Sequence, residues 1–179
     1  MITKMLNVIT LSRILCAILI YLILYLESNY SMALFLFLIA SFSDFLDGYL
    51  ARKTDSESVL GEILDPIADK LLIVFVLIGL SVNLNSFLIG FIASVIISRE
   101  IWVAALRDIN SRNNQSNKTR VTFLAKTKTA IQMLAILMYL FGLTLNNMMI
   151  LFFADIVLII ALLITIQTGF QYTISTFKK

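Results

Sequence analysis

The sequence predicts an all-α integral membrane protein with six transmembrane helices. Apolar residues make up 60% of its 179 residues and the mean hydropathy is +0.95, both above the range of soluble domains. A single proline occurs in the whole chain. Apolar stretches of about 20 residues, the length that crosses a bilayer as a helix, recur six times. The predicted spans are 9–26, 31–50, 61–82, 87–106, 125–143 and 148–169.

The first span is expected to be a retained helix. It is longer than a signal-peptide core, contains Arg13 and lacks a clear small-residue cleavage site. The remaining spans follow with alternating orientation. Connectors 27–30, 83–86 and 144–147 contain no basic residue, whereas Lys and Arg occur at the N-terminus, near residue 52, between 107 and 128, and at the C-terminus. Because basic residues collect in cytoplasmic segments, this partition predicts cytoplasmic termini.

Composition excludes several classes of function. The net charge of +3 is concentrated at one membrane surface, and no basic run is interleaved with base-stacking aromatic residues, so nucleic acid is not expected as a partner. The single cysteine, Cys16, excludes an internal disulfide, and the absence of histidine excludes imidazole ligands and Ser-His-Asp hydrolysis. No linker or repeat divides the chain, which is expected to form one domain over residues 1–179.

Four carboxylates lie in otherwise apolar sequence: Asp44, Asp47, Asp65 and Asp69. An ionised carboxylate in hydrocarbon costs about several kcal/mol, so such a group requires cations or protonation. Asp44 and Asp47 are spaced i,i+3 on the second helix, and the other two are spaced i,i+4 on the third, so each pair lies on one helix face. The two pairs lie at matching depth in antiparallel neighbours. Hard oxygen ligands in this arrangement suit Mg²⁺, Mn²⁺ or Ca²⁺.

Small residues accompany the carboxylates. Gly48 and Ala51 follow Asp44 by four and seven residues, and Gly61 precedes Asp65 by four. They leave space for a ligand beside the metal site, and Arg52 lies at its mouth. A phosphorylated headgroup or a nucleotide diphosphate would fit such a groove, and metal-assisted phosphoryl transfer is the predicted chemistry.

The complete pattern resembles the signature of the CDP-alcohol phosphatidyltransferases. Its eight specified positions, within 26 residues, are Asp44, Asp47, Gly48, Ala51, Arg52, Gly61, Asp65 and Asp69. The resemblance implies six transmembrane helices with a short N-terminal interfacial helix, a homodimer and a cytoplasm-facing site. It assigns Asp44, Asp47, Asp65 and Asp69 to Mg²⁺ or Mn²⁺, and makes Asp69 the general base. It places Asp44, Gly48, Ala51, Arg52 and Gly61 at the CDP site.

Other segments resemble the phosphatidylglycerophosphate synthase branch of that family. They include residues 7–13, 64–70, 98–101 and 125–129. This resemblance implies transfer of a phosphatidyl group from CDP-diacylglycerol to sn-glycerol 3-phosphate, with release of CMP. The absence of eukaryotic targeting features favours a bacterial inner membrane, with an organellar membrane as the alternative. A cationic pocket for the acceptor phosphate is predicted from Arg99, Arg107, Lys126 and Lys128. Possible headgroup contacts are Asn7, Thr10 and Arg13.

Some interpretations remain open from the sequence alone. Leu6 and Ala125 stand where the branch usually has proline and glycine, which weakens the acceptor assignment. A CDP-alcohol-type cardiolipin synthase and a phosphatidylinositol-phosphate synthase are alternative enzymes, and a divalent-cation transporter is the non-enzyme alternative. Arg13 is expected either to neutralise a site carboxylate or to extend towards the membrane surface. Asp155, far from the motif, is expected to make a helix–helix hydrogen bond.

Overall fold

The described residues form six α-helices in a computed structural model. The structure describes the backbone of residues 2–54, 59–113 and 123–178, and the side chains of residues 10–43, 64–113, 124 and 127–178. No strand occurs within these ranges. The helices are α1 (Ile2–Leu26), α2 (Tyr30–Thr54), α3 (Val59–Asn83), α4 (Phe87–Arg112), α5 (Phe123–Thr144) and α6 (Met148–Phe177).

The helices are longer than the predicted spans, because the spans were delimited by hydrophobicity alone. The helix that contains the first span begins at Ile2 and continues without a break to Leu26, so a separate N-terminal interfacial helix is not confirmed. At the other end of the chain, α6 continues to Phe177. Its last turns carry polar side chains that pack on α4, which is why the helix extends beyond its apolar stretch.

Within the described residues, three helices are long and apolar enough to cross a membrane. They are Phe87–Arg112, Thr127–Thr144 and Met148–Phe177, and two shorter apolar helices cover Thr10–Leu26 and Tyr30–Ser43. Large apolar side chains such as Phe87, Phe152 and Phe170 are exposed on the outside of the bundle. In water such a surface would be unfavourable, and in a bilayer it is in contact with lipid. The chain has the features of a membrane protein.

The packing of the bundle places α3 beside α1, α4 and α5. α1 also packs against α2, α5 packs against α2 and α6, and α4 packs between α3 and α6. α1 and α3 run parallel, because residues later in α1 contact residues later in α3. Thr10 bonds to Asp65, and the Leu24 carbonyl bonds to Asn83. Small buried side chains allow close approach of the helices, as is common in membrane bundles: Ala17, Ala33, Ala40, Ala93, Ala135, Ala154 and Ala161.

Three tight connectors lie at one end of the bundle. Each contains one residue with positive φ, namely Ser28, Asn85 or Asn146 at 51°, 47° and 50°. Asparagine tolerates this left-handed conformation better than most residues. These connectors are the ones without basic residues. The remaining connectors, 55–58 and 114–122, lie outside the described residues.

Polar side chains join helices within the apolar bundle. As expected, Asp155 makes a helix–helix hydrogen bond, since it accepts from the Tyr139 hydroxyl across the α5–α6 interface. At the end with the tight connectors, the Asn83 side chain donates to the Leu24 carbonyl at 2.7 Å and to the Ser28 hydroxyl at 2.8 Å, and accepts from the Tyr30 hydroxyl at 2.9 Å. Asn83 therefore connects α3 to the turn between α1 and α2.

Replacement of Asn83 by leucine is expected to destabilise the bundle. Three hydrogen bonds are lost, and the Leu24 carbonyl and Tyr30 hydroxyl lose a partner, at a cost of about 1–3 kcal/mol. Thermal unfolding in detergent should show a lower midpoint for Asn83→Leu than for the wild type. Ser98→Ala serves as the control, because the Ser98 hydroxyl only donates to a carbonyl of its own helix. Equal midpoints for the two variants would contradict the role of Asn83.

Candidate active site

Two of the four predicted metal ligands, Asp65 and Asp69, have described side chains, and both are held by α1. The Thr10 hydroxyl donates to Asp65 Oδ1 at 2.6 Å, and the Arg13 guanidinium lies 2.7 Å from Asp69 Oδ1. The Arg13 side chain is fully buried. A buried guanidinium requires a counter-charge, and Asp69 provides it. Of the two interpretations of Arg13, the structure supports neutralisation of a site carboxylate.

Asp65 and Asp69 are suited to a divalent cation by residue type and placement. They lie one turn apart on α3, partly exposed, with Pro66 between them. Carboxylate oxygens on one helix face are ligands that Mg²⁺ and Mn²⁺ accept. No group of three potential metal ligands occurs among the residues whose side chains are described. The other two predicted ligands, Asp44 and Asp47, lie outside that set, as do Gly48, Ala51, Arg52 and Gly61 of the predicted CDP site.

A cavity of about 180 Å³ opens beside Asp69, between α3, α4 and α5. Its polar lining combines Asp69 and Lys70 of α3, Glu100 of α4, and Lys128 and Gln132 of α5. The rest of the lining is largely apolar. A carboxylate proposed as a base and two ammonium groups therefore border one space of the size of a small phosphorylated molecule.

Glu100 organises the basic residues at this cavity. Arg99 NH1 lies 2.8 Å from Glu100 Oε1, and the Lys128 ammonium donates to the same oxygen. Lys70 Nζ lies 3.5 Å from Glu100 Oε2. The side chains of Arg99 and Lys128 are only 8% and 5% exposed, so both charges are inside the protein. Three helices thus contribute cations to one carboxylate.

α6 supports the other side of Arg99. Arg99 NH2 donates to the Thr168 hydroxyl at 3.0 Å, and its guanidinium lies 5.6 Å from the centre of the Tyr172 ring. Arg107 lies 5.5 Å from the same ring centre. Both distances fall within the range of cation–π attraction. Tyr172 therefore holds two like charges that are two helical turns apart on α4.

The predicted acceptor pocket is brought together only in part. Of its members with described side chains, Lys128 lines the cavity. Arg99 does not line it but bonds to Glu100, which does, and Arg107 contacts the Tyr172 ring. Lys126 and the predicted headgroup contact Asn7 lie outside the described side chains. Thr10 and Arg13, also predicted as headgroup contacts, bond to Asp65 and Asp69.

Several residues at this site were not assigned a role from the sequence: Lys70, Glu100, Gln132, Thr165, Thr168 and Tyr172. Two signals were available. Glu100 is an acidic residue inside a span, where charged residues are rare and paired. Thr165, Thr168 and Tyr172 follow one another by three and four residues, which places them on one face of the otherwise apolar α6.

Comparison with known proteins agrees with this arrangement. The CDP-alcohol phosphatidyltransferase family model matches residues 4–167, which include all four aspartates and all residues that line the cavity. The chain belongs to this family. Divalent metal is used throughout the CDP-alcohol phosphatidyltransferases, which fits the carboxylate pair on α3.

Individual members of the family are similar to most of the chain. The CDP-diacylglycerol–glycerol-3-phosphate 3-phosphatidyltransferase of Haemophilus influenzae is 38% identical over 148 residues, which cover 82% of this chain and 77% of that protein. The enzyme of the same name from Rickettsia bellii is 38% identical over 169 residues, covering 93% and 91%. That from Pseudomonas fluorescens is 38% identical over 137 residues, covering 75% and 70%.

Proposed function

We propose that this phosphatidyltransferase transfers the phosphatidyl group of CDP-diacylglycerol to sn-glycerol 3-phosphate, giving phosphatidylglycerophosphate and CMP. The relatives described above carry the name of this reaction. The observation that carries the proposal is the shared cavity, which places Asp69 beside Lys70 and Lys128. An acceptor with a hydroxyl and a phosphate needs both a base and cations within one small space.

In this proposal the chain acts mainly through charge and position. The Asp69 carboxylate takes the proton of the acceptor hydroxyl, and the acceptor oxygen forms a bond to the phosphorus that carries the diacylglycerol. The bond from that phosphorus to the oxygen of CMP breaks, and CMP leaves with the electron pair. Arg13 fixes the orientation of Asp69 through its ion pair. Thr10 fixes the orientation of Asp65 through the hydrogen bond that its hydroxyl donates.

Asp44, Asp47, Asp65 and Asp69 are the residues proposed to hold Mg²⁺ or Mn²⁺, which supplies positive charge to the diphosphate and to the departing CMP. Gly48, Ala51, Arg52 and Gly61, with Asp44, are proposed to line the CDP site. The residues proposed to bind the acceptor phosphate are Arg99, Arg107, Lys126 and Lys128. Ammonium and guanidinium groups inside a membrane protein bind a phosphate dianion more strongly than they do in water.

The setting of the reaction is part of the proposal. The chain is a single catalytic domain over residues 1–179, with six transmembrane helices, in a bacterial inner membrane. Its site faces the cytoplasm, where the soluble acceptor and CMP occur, and the acyl chains of the donor remain in the bilayer. A homodimer is the proposed assembly. Exposed apolar side chains on α1, α2 and α6 supply surface for lipid and for a second copy.

The apolar core favours an enzyme over a divalent-cation transporter. Below the cavity, α3, α4 and α5 meet through buried apolar side chains, among them Val76, Leu80, Ile92 and Ile136. A transport pathway would require polar groups to continue across this layer. Cations at the cavity would also repel a metal ion that enters from the same side.

An acceptor comparison tests the proposal. Purified protein in detergent micelles with CDP-diacylglycerol and Mg²⁺ is supplied with sn-glycerol 3-phosphate, phosphatidylglycerol or inositol phosphate, and CMP release is measured. Turnover with glycerol phosphate and not with the others is expected. Preference for phosphatidylglycerol would indicate a cardiolipin synthase, and preference for inositol phosphate a phosphatidylinositol-phosphate synthase.

Gly169 permits the observed position of Arg99, because a Cβ atom at residue 169 would lie 3.3 Å from Arg99 Cγ. Gly169→Ala is therefore expected to displace Arg99 and to raise the KM for glycerol phosphate about threefold to tenfold, which corresponds to roughly 1 kcal/mol. Steady-state kinetics with varied acceptor measures this effect. Gly79→Ala, at the interface with Leu24 and away from the cavity, is the control and should leave that KM unchanged.

A further inference from the structure

The ion pairs around Glu100 are unbalanced in charge. One carboxylate has three cations within ion-pair distance, contributed by α3, α4 and α5: Lys70, Arg99 and Lys128. A purely structural network in a membrane protein would be expected to approach neutrality, because an uncompensated buried charge is costly. The nearby Asp69 does not supply the missing charge alone, since Arg13 is already paired with it. The Lys70 side chain is 41% exposed, so water offsets part of its charge, and the two buried cations Arg99 and Lys128 exceed the charge of Glu100 by one.

The excess has the sign that a phosphate monoester neutralises. Glu100 also brings its two most buried partners to a single oxygen, because both Arg99 NH1 and the Lys128 ammonium donate to Oε1. Two like charges repel each other in a medium of low dielectric constant. A carboxylate between them offsets that repulsion and keeps the Lys128 ammonium at the cavity.

The two cations depend on Glu100 to different degrees. Arg99 is also held by Thr168 and Tyr172 on α6, so its position has support from a second helix. Within the described part of the chain, Glu100 is the ion-pair partner of Lys128. Lys128 is nearly fully buried and lines the cavity directly. Loss of the carboxylate is therefore expected to displace Lys128 more than Arg99.

We propose that Glu100 is a positioning residue for the acceptor phosphate. It holds the Lys128 ammonium at the wall of the cavity, with Arg99 on the same carboxylate oxygen, and it leaves a net positive charge there for a phosphate anion to neutralise. This inference rests on the proposed function. Glu100 does not take part in the chemical step, so its contribution lies in the affinity for the acceptor and not in the rate of turnover at saturation.

Kinetics of two Glu100 variants test this role. For Glu100→Gln, the KM for sn-glycerol 3-phosphate is expected to rise at least about tenfold, the size of one lost charge-assisted contact, while kcat and the KM for CDP-diacylglycerol change less than about threefold. Glu100→Asp retains the charge and should recover part of the affinity. If Glu100→Gln does not fold, Glu100→Asp alone tests the role, and its KM for sn-glycerol 3-phosphate is expected to rise about threefold. Asp108→Asn is the control, since it removes one negative charge from an exposed pair on the same helix.

A double variant separates positioning from general destabilisation. If Glu100 acts through Lys128, Glu100→Gln combined with Lys128→Gln should have nearly the same acceptor KM as Lys128→Gln alone. Independent effects that multiply would overturn the inference, as would a fall in kcat at unchanged acceptor KM. An unaltered acceptor KM in every Glu100 variant would also overturn it. Failure of the proposed function is distinct, because the wild-type protein would then show no turnover with glycerol phosphate.

Discussion

Asp69→Asn is expected to lower kcat for CMP release at least about a thousandfold, the combined effect of a lost general base and a weakened metal site. The amide is nearly isosteric and still offers an oxygen to Arg13, so the bundle should remain folded. What it loses is the ability to accept a proton and to bring negative charge to a cation. The initial rate of CMP release, measured with saturating donor and acceptor, gives the result.

Asp155→Asn is the matched control for Asp69. Asp155 is an aspartate of the same bundle, bonded to Tyr139 at the α5–α6 interface and absent from the cavity lining. This variant should retain turnover within a few-fold of the wild type even if it is somewhat less stable. Substantial activity in Asp69→Asn, or equal loss in both variants, would show that Asp69 is not the base.

Lys128→Gln is expected to raise the KM for sn-glycerol 3-phosphate about 10–100-fold, since one charge-assisted hydrogen bond contributes about 1.5–3 kcal/mol. The reason is specific to its position, because the ammonium is buried at the cavity and not at a solvated surface. kcat at saturating acceptor should change much less. The measurement is an acceptor titration at fixed, saturating CDP-diacylglycerol.

Lys178→Gln is the control, because it also removes one positive charge, at an exposed residue near the C-terminus. It should have no effect on the KM for sn-glycerol 3-phosphate. An equal effect of both substitutions would mean that net charge at the membrane surface governs acceptor binding. A normal KM in Lys128→Gln would remove Lys128 from the acceptor site. Either result would leave the assignment of Asp69 intact.

The six helices could be predicted from the sequence because each one coincides with an apolar stretch between polar connectors. Their ends could not be predicted in the same way. α6 continues for two further turns after Gly169, where Thr173 and Thr176 bond to Trp102 and Asn110 of α4. Those bonds depend on tertiary packing, which hydropathy does not report.

The carboxylate motif could also be identified from spacing, since i,i+3 and i,i+4 pairs lie on one helix face wherever the helix packs. The partners of the motif required the structure. Arg13 could equally have extended to the membrane surface, and only the parallel packing of α1 on α3 brings it to Asp69. The positions of Asp44 and Asp47 relative to Asp65 and Asp69 stay a prediction from helix geometry and family resemblance.

The acceptor pocket was the least predictable part of the site. Positive charge near the cytoplasmic ends of helices is common for topological reasons, so the sequence does not separate anchoring residues from ligands. In the structure the predicted cations differ in their contacts. Lys128 lies at the cavity on Glu100, whereas Arg107 lies at Tyr172. Glu100, an acidic residue without a predicted role, is within ion-pair distance of three cations.

Incorporation of labelled sn-glycerol 3-phosphate into lipid tests the central claim most directly. Purified protein in detergent micelles is incubated with CDP-diacylglycerol, Mg²⁺ and ¹⁴C-labelled acceptor, and label in the lipid fraction is compared with CMP in the aqueous fraction. The proposed reaction predicts equal amounts of labelled phosphatidylglycerophosphate and CMP, and neither in Asp69→Asn. CMP release without labelled lipid, or label in lipid that persists in Asp69→Asn, would contradict it.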